Sequence, residues 1–136
     1  MSVGTRRAER ERALSLLYEA EAKDLRAPAL LAQLPVSPEP FVVDLVTGVD
    51  GNRDRIDELI SRHAIDWTLE RMPAVDRNIL RLGAYELLER PDVPLGAVIS
   101  EAVELAKRYS TDESGRFVNG MLASIAAETR PSTTSD

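Results

Sequence analysis

Residues 73–89 read PAVDRNILRLGAYELLE. Pro73 opens this segment, and because proline is well tolerated in the first turn of a helix, a helix is predicted from Ala74 to about Glu89. Apolar side chains cover most of its sides, whereas a surface helix carries them along one stripe. Such a helix has to be in contact with several others. The segment therefore predicts the central helix of an all-α protein.

The segments on either side show the three- and four-residue spacing of further helices. No segment alternates apolar and polar residues in the manner of a half-buried strand. We therefore predict one compact domain of six or seven helices over residues 1–128, followed by a disordered polar tail over residues 129–136. Besides the central helix, helical structure is predicted at about Thr5–Lys23, Pro28–Leu34, Trp67–Arg71, Leu95–Tyr109, and onward from a cap at Asp112 or Ser114.

The middle of the chain allows two interpretations. The run Ser37–Glu39 is a favourable helix start, with a capping hydroxyl, a proline and an acid at the positive end of the helix. From Val42 to His63 the apolar residues keep one helical register across Gly48 and Gly51. This continuity predicts one long helix, since each glycine costs only about 1 kcal/mol relative to alanine. The alternative is two helices joined by a hinge at Asp50–Asn52.

The composition is that of a soluble globular protein, with 43% hydrophobic and 29% charged residues among 136. Aromatic residues are few, so Ala, Leu, Val and Ile must fill the interior, which favours closely packed helices. The lack of cysteine excludes a disulfide framework, a thiol nucleophile and a zinc–thiolate site. We find neither a signal peptide nor the ~20-residue apolar run that spans a bilayer, and expect a cytoplasmic location.

Each test for catalytic chemistry fails. His63 is the only histidine, and it lacks partners at the spacing of a metal site or a triad, so a structural role is predicted. The run Asp50–Asp54 imitates the start of a calcium loop, but Arg55 stands where that loop needs glycine. Glu101 and Glu104 are interpreted as solvated or salt-bridged helix acids. We expect no enzymatic activity, no metal and no cofactor.

A basic cluster stands at the head of an acidic chain. Residues 1–12 carry a charge of +2, the rest of the chain carries −8, and the total is −6. Such a local basic surface is typical of a docking point for a phosphate backbone. The alternative is a solvated helix start whose arginines pair with Glu9 and Glu11. The cluster consists of Arg6, Arg7, Arg10 and Arg12.

A second candidate surface lies at residues 114–120, SGRFVNG. Arg116, Phe117 and Asn119 bring a cation, an aromatic ring and an amide together near a helix start. Positive charge combined with aromatic stacking is what the binding of single-stranded RNA requires. The alternative is a core phenylalanine beside a surface arginine.

Four segments together resemble the NusB antitermination factor family, in its actinobacterial form. Their order and spacing match the family over nearly the whole chain, and FVNG is the most distinctive piece. The resemblance implies a fold of two helical bundles packed across each other. The segments are RRAERERALSLLYE at 6–19, PAVDRNILRLGAYEL at 73–87, VPLGAVISEAVELA at 93–106 and FVNGML at 117–122.

The resemblance also implies a role in transcription. Members of this family bind the boxA element of ribosomal RNA leader transcripts together with the small-subunit ribosomal protein NusE. The pair joins the RNA polymerase elongation complex with other Nus factors and makes elongation resistant to termination. Carried over residue by residue, the resemblance assigns RNA binding to Arg6, Arg7, Arg10, Arg12, Arg116, Phe117 and Asn119, and partner binding to Tyr18, Asp76 and Arg77.

The chain departs from the family pattern at two positions. Glu9 stands where the family often has a small residue, which dilutes the positive field, and Ser100 stands where an asparagine is common. The alternative function is a protein–protein adaptor with the same helical fold and no sequence-specific RNA binding. A related domain begins certain ribosomal RNA cytosine methyltransferases, but we expect no room here for their catalytic domain. A homodimer is a further possibility.

Overall fold

The computed structural model describes residues 3–65 and 67–131, and its regular structure is entirely helical. No strand occurs within these two ranges, which confirms the predicted all-α class. The helices at 74–89 and 95–109 have the predicted bounds. The elements are α1 (Val3–Ala22), α2 (Ala27–Ala32), α3 (Pro40–Gly51), α4 (Arg53–His63), a 3₁₀ turn (Leu69–Arg71), α5 (Ala74–Glu89), α6 (Leu95–Tyr109) and α7 (Asp112–Thr129).

Helix α5 is the centre of the fold, as its sequence predicts. It is buried along most of its length and packs against α1, α3, α4, α6 and α7. Helices α1, α2 and α3 pack on one another to form one group, and α4, α6 and α7 form the other through α7. Since both groups share α5, the molecule consists of two helical bundles joined through one buried helix. No helix among the described residues is both long and apolar enough to cross a bilayer.

The prediction of one long helix from Val42 to His63 is wrong. Helix α3 ends at Gly51 and α4 begins at Arg53, so the hinge at Asp50–Asn52 is correct. Asn52 leaves the helical conformation with φ −112° and ψ 20°, and its side-chain amide donates to the carbonyl of Gly48 at 2.8 Å. The amide thereby satisfies a terminal carbonyl of α3. The apolar register continues across the break because both helices face α5.

Gly48 allows α3 and α5 to approach closely. A methyl group at Gly48 would overlap the ring of Tyr85, so only glycine fits at this crossing. The Tyr85 hydroxyl donates to Asp44 at 2.8 Å. Burial and this carboxylate raise the pKa of Tyr85 to about 12, so the ring stays neutral at physiological pH.

Two predicted helix starts need correction. Helix α3 begins at Pro40 rather than at the run Ser37–Glu39, because Pro40 provides the preset backbone angle of a first helical position. Helix α7 is capped by Thr111, not by Asp112 or Ser114. The Thr111 side-chain oxygen accepts from the backbone N–H of Ser114 at 2.9 Å.

The end of α7 and Arg130 belong to the tail that the sequence predicts from residue 129. Helix α7 continues to Thr129, and Arg130 caps the end of α5 from outside. The rest of the predicted tail, residues 132–136, lies outside the described residues. The Arg130 guanidinium donates hydrogen bonds of 2.6–3.0 Å to the backbone carbonyls of Glu86, Leu87, Arg90 and Val93.

Candidate nucleic-acid interface

The four N-terminal arginines have different environments. Arg10 is only 7% exposed, and its Nε and Nη2 atoms donate to the Glu86 carboxylate at 2.9 and 2.7 Å. Arg10 lies on the face of α1 that carries Leu14 and Leu17, four and seven residues further on, and this face packs inward. Its guanidinium therefore joins α1 to α5 and is not presented to solvent.

Arg6 is partly engaged with the protein body. Its guanidinium carbon lies 3.8 Å from the centroid of the buried Phe41 ring, in the geometry of a cation–π contact. Arg10 and Arg90 stand around the same ring at 5.4 and 5.1 Å. Arg6 also donates to the buried Glu9 carboxylate at 3.3 Å. Only part of the Arg6 side chain is thus open to a ligand.

Arg7 and Arg12 face solvent from α1. Arg7 donates through Nε and Nη2 to the two carboxylate oxygens of Glu101 on α6, both at 2.9 Å. Arg12 is exposed and makes no ion pair within the described ranges. Glu11 accepts from Arg108 and from the Tyr109 hydroxyl on α6, not from an arginine of the cluster. The alternative in which neighbouring glutamates neutralise the arginines therefore holds only for Arg6.

The second candidate surface lies on the first turns of α7. Arg116 and Asn119 are exposed, whereas Phe117 is partly buried and packs against the core. Phe117 lines a shallow hollow of about 520 Å³ together with the exposed side chains of Ile65 and Trp67. Two aromatic rings therefore share this hollow, and Arg116 and Asn119 are exposed on neighbouring positions of the same helix.

Asp76 lies at the edge of the same hollow and is 4% exposed. Its Oδ2 atom accepts from the Ser114 hydroxyl at 2.7 Å, while Oδ1 is buried without a hydrogen-bond partner among the described residues. A buried carboxylate oxygen without a partner is costly, so it favours a donor brought by a ligand.

The other two predicted partner residues have contrasting surroundings. Arg77 is largely buried, donates to the backbone carbonyls of Leu69 and Met72 at 2.9 Å, and pairs with Glu21. It holds the 3₁₀ turn in place. Tyr18 is half exposed and forms an apolar hollow of about 340 Å³ with residues that include Leu14, Val75 and Tyr109.

Comparison of the chain with known proteins shows which family it belongs to. The profile of the NusB family matches residues 7–127. The chain belongs to the NusB family. A transcription antitermination protein NusB from Saccharopolyspora erythraea is 53% identical over 130 residues, covering 91% of this chain and 88% of the relative. One from Thermobifida fusca is 49% identical over 133 residues, covering 95% and 93%.

Solved structures agree with the NusB assignment. NusB of T. maritima superposes with a TM-score of 0.82 at 39% identity, covering 93% of both chains. A crystal structure of the antitermination factors NusB and NusE with double-stranded RNA gives a TM-score of 0.80 at 26% identity, covering 93% of this chain and 99% of the other. The resemblance to NusB is confirmed, and the family is non-enzymatic.

The two candidate surfaces of this NusB-family chain remain separate. Within the described ranges, no hydrogen bond, ion pair or ring contact joins the N-terminal arginines to Arg116 or Phe117. Helix α6 connects them, because it pairs with α1 through Arg7–Glu101 and Arg108–Glu11 and packs along α7. An RNA strand that touched both surfaces would have to pass over α6.

The prediction of a structural role for His63 is confirmed. Its Nδ1 atom lies 2.6 Å from the Ser124 hydroxyl, and its Nε2 atom lies 2.8 Å from Glu128. Both ring nitrogens are therefore used to join α4 to α7. The described residues contain no group of three or more histidine, cysteine, aspartate or glutamate side chains placed to hold a metal ion.

Sequence reasoning missed several residues of these surfaces. Glu101 and Arg108 reach α1 across more than ninety residues of sequence, and no local spacing signals such a contact. Trp67 and Tyr109 are exposed aromatic residues at or beside helix ends, and their positions could have indicated a contact surface.

Proposed function

We propose that this chain is a transcription antitermination factor that binds the boxA element of ribosomal RNA leader transcripts together with the ribosomal protein NusE. The observation that carries the proposal is the pair of solvent-facing cationic surfaces on an acidic NusB-family protein, one at Arg7 and Arg12 and the other at Arg116. The structural neighbour that contains NusE and RNA supports it.

The RNA contacts are divided between the two surfaces. Arg7, Arg12 and part of Arg6 neutralise phosphates, while Phe117 stacks on a base beside Arg116, and Asn119 contributes polar contacts. Arg10 acts indirectly, because its buried pair with Glu86 fixes the helix that carries its neighbours.

The partner contacts lie on the adjoining face. Tyr18 offers an apolar hollow, and Asp76 offers a buried carboxylate oxygen that has no donor among the described residues. A basic ribosomal protein supplies both apolar contacts and donors, and the chain's charge of −6 attracts it. Arg77 supports this face by holding the 3₁₀ turn beneath it.

The proposal further places the pair in the cytoplasmic RNA polymerase elongation complex with other Nus factors. Alone, the chain should bind RNA weakly, because an acidic body surrounds a few open cations. NusE should tighten RNA binding, and RNA should tighten NusE binding by the same factor, as linkage requires.

The test is a titration of boxA and scrambled RNA in the presence and absence of NusE. We expect NusE to strengthen boxA binding more than scrambled RNA binding. Log K should fall with log salt, and Arg12→Ala should flatten the slope by about 0.7, the value for one phosphate contact with a single strand. Equal boxA affinity with and without NusE would defeat the shared site.

A protein–protein adaptor is the second candidate function. The burial of Arg10 and the pairing of Arg7 favour it, because both reduce the cationic charge open to RNA. In that case NusE binds while boxA and scrambled RNA are bound equally weakly. Self-association into a homodimer stays a prediction, and sedimentation of the chain with and without NusE tests it.

A further inference from the structure

Arg7 is the most exposed of the N-terminal arginines that form ion pairs, yet its guanidinium is already engaged by a carboxylate. The Arg7 side chain is 44% exposed, but both of its donors on one edge are used by Glu101, whose side chain is only 13% exposed. The pair is bidentate, with two hydrogen bonds of 2.9 Å. This fork-to-fork geometry is the one in which a guanidinium also holds a phosphate.

Glu101 is held in place from its own side. It occupies α6, where Ala102 and Leu105 are buried in the core, so the backbone that carries Glu101 is fixed beside Arg7 of α1. The hydrogen bonds from Arg7 lower the pKa of Glu101, and it therefore carries a full negative charge at neutral pH. An anionic group therefore occupies the Nε–Nη2 edge of Arg7, one of the edges at which a guanidinium can hold a phosphate.

We propose that Glu101 sets the RNA affinity of this chain by occupying the Arg7 guanidinium as an intramolecular substitute for phosphate. The inference rests on the proposed RNA-binding function. When RNA binds, one phosphate displaces the carboxylate, and Arg7 exchanges one bidentate anion for another.

This exchange weakens RNA binding in two ways. The gain from the new phosphate contact is offset by the loss of the Arg7–Glu101 pair. The displaced carboxylate also remains near the phosphate, and two like charges at short distance repel each other. Removal of the Glu101 charge should therefore tighten RNA binding by about two- to fivefold, the range expected for one exposed ion pair.

The salt dependence should change as well. Because Arg7 and Glu101 neutralise each other, the pair contributes little net charge to counterion release. With the carboxylate removed, Arg7 becomes an ordinary cation, and the slope of log K against log salt should steepen by up to about 0.7.

The chain offers a matched control on the same helix. Glu104 lies one turn from Glu101, is exposed, and makes no ion pair within the described ranges. Glu104→Gln removes the same charge from the same neighbourhood without freeing Arg7. A difference between Glu101→Gln and Glu104→Gln thus separates occupation of Arg7 from a general effect of the acidic field.

The experiment measures boxA and scrambled RNA binding, with NusE present, by fluorescence anisotropy over a range of salt. The proteins are wild type, Glu101→Gln, Glu104→Gln, Arg7→Ala and the double variant Arg7→Ala/Glu101→Gln. We expect Glu101→Gln to tighten binding more than Glu104→Gln does. In the Arg7→Ala background, Glu101→Gln should have no more effect than Glu104→Gln. Far-ultraviolet circular dichroism checks that the variants keep their helices.

The outcomes distinguish this inference from the proposed function. Equal effects of Glu101→Gln and Glu104→Gln, or tightening that persists without Arg7, would overturn the role of Glu101 while a preference for boxA leaves the proposed function standing. If every protein, including Glu101→Gln, binds boxA and scrambled RNA alike, the proposed function fails and the role of Glu101 fails with it.

Discussion

Arg10 and Glu86 form a bidentate ion pair between α1 and α5, with both side chains buried and two hydrogen bonds of 2.9 and 2.7 Å. A charge in the interior is tolerated only with a partner that satisfies it. The pair therefore has a structural role in a segment where Arg7 and Arg12 face solvent. It also fixes the direction in which Arg7 and Arg12 project.

Arg10→Ala should destabilise the fold strongly, because it leaves the Glu86 carboxylate buried without a counter-charge. Loss of one member of a buried pair typically costs about 3–5 kcal/mol. Arg12→Ala, on the exposed side of the same helix, should change the free energy of unfolding by no more than about 0.5 kcal/mol. Urea denaturation of both variants measures this. Equal stabilities of the two variants would show that the buried pair does not contribute as proposed.

Gly48→Ala should lower stability by roughly 1–3 kcal/mol, since the new methyl group overlaps the Tyr85 ring and forces α3 and α5 apart. Gly51→Ala is the matched control. It lies in the same helix with open space around its Cβ position, and alanine is the better helix former. Thermal unfolding should therefore show a lower Tm for Gly48→Ala and an equal or higher Tm for Gly51→Ala. A normal Tm for Gly48→Ala would mean that the crossing is looser than described.

Phe117→Ala should reduce RNA affinity by about 1–3 kcal/mol if its ring stacks on a base. Its stability loss should stay below the roughly 3–5 kcal/mol of a fully buried phenylalanine, because one side of the ring is open. Val118→Ala, at the fully buried neighbouring position, should lower stability and leave RNA affinity unchanged. RNA titration beside chemical denaturation gives both quantities. A large stability loss without an RNA effect would identify Phe117 as a core residue only.

Asp76→Asn should weaken the coupling between NusE and RNA, typically 1–3 kcal/mol. The reason is that it removes the charge of a buried carboxylate whose Oδ1 atom has no hydrogen-bond donor among the described residues. The amide oxygen can still accept from Ser114, so the fold should be retained. Glu113→Gln provides the control, as it removes an exposed acid from the same hollow. The RNA affinity of each variant is measured with and without NusE. Coupling that is the same in both variants and in wild type would exclude Asp76 from the partner surface.

Acid should destabilise the fold in part through Glu21. Burial opposes its ionisation, but hydrogen bonds from Arg77 and Asn78 outweigh burial and lower its pKa below the usual 4.5. A lowered pKa in the folded state gives stability that is present above the ordinary value and is lost as pH falls through the folded value. Glu21→Gln should therefore lose less stability than wild type between neutral pH and pH values below 4.5. If the free energies of unfolding of the two proteins change with pH in parallel, Glu21 does not contribute to the acid sensitivity of the fold.

The sequence predicted α5 and α6 because Pro73 marks the start of α5 and apolar residues at helical spacing fill the length of both helices. It misjudged residues 42–63, since the periodicity of apolar residues reports which face packs on α5 and is insensitive to a one-residue break at Asn52. Four short segments in the right order are sufficient to indicate the family. They do not indicate which of the N-terminal arginines are exposed or what those arginines contact.

Arg10 shows why the surface was harder to predict. The charge of Arg10 predicts an exposed side chain. Its spacing to Leu14 and Leu17 instead places it on the inward face of α1, and this spacing is the feature of the sequence that indicates its burial. The partner of Arg7 could not be found in this way. Glu101 lies ninety-four residues away, and only the packing of α6 beside α1 brings the two together.

The contact between Arg130 and the end of α5 has a consequence for synthesis on the ribosome. The carbonyls of Glu86 and Leu87 are made early, but the guanidinium that binds them is added only after α6 and α7 have been translated. Domains generally fold as units, and earlier domains fold before later ones during synthesis. The last turn of α5 therefore receives this donor only once α6, α7 and Arg130 have all been made, and the contact that completes it joins segments translated far apart in time.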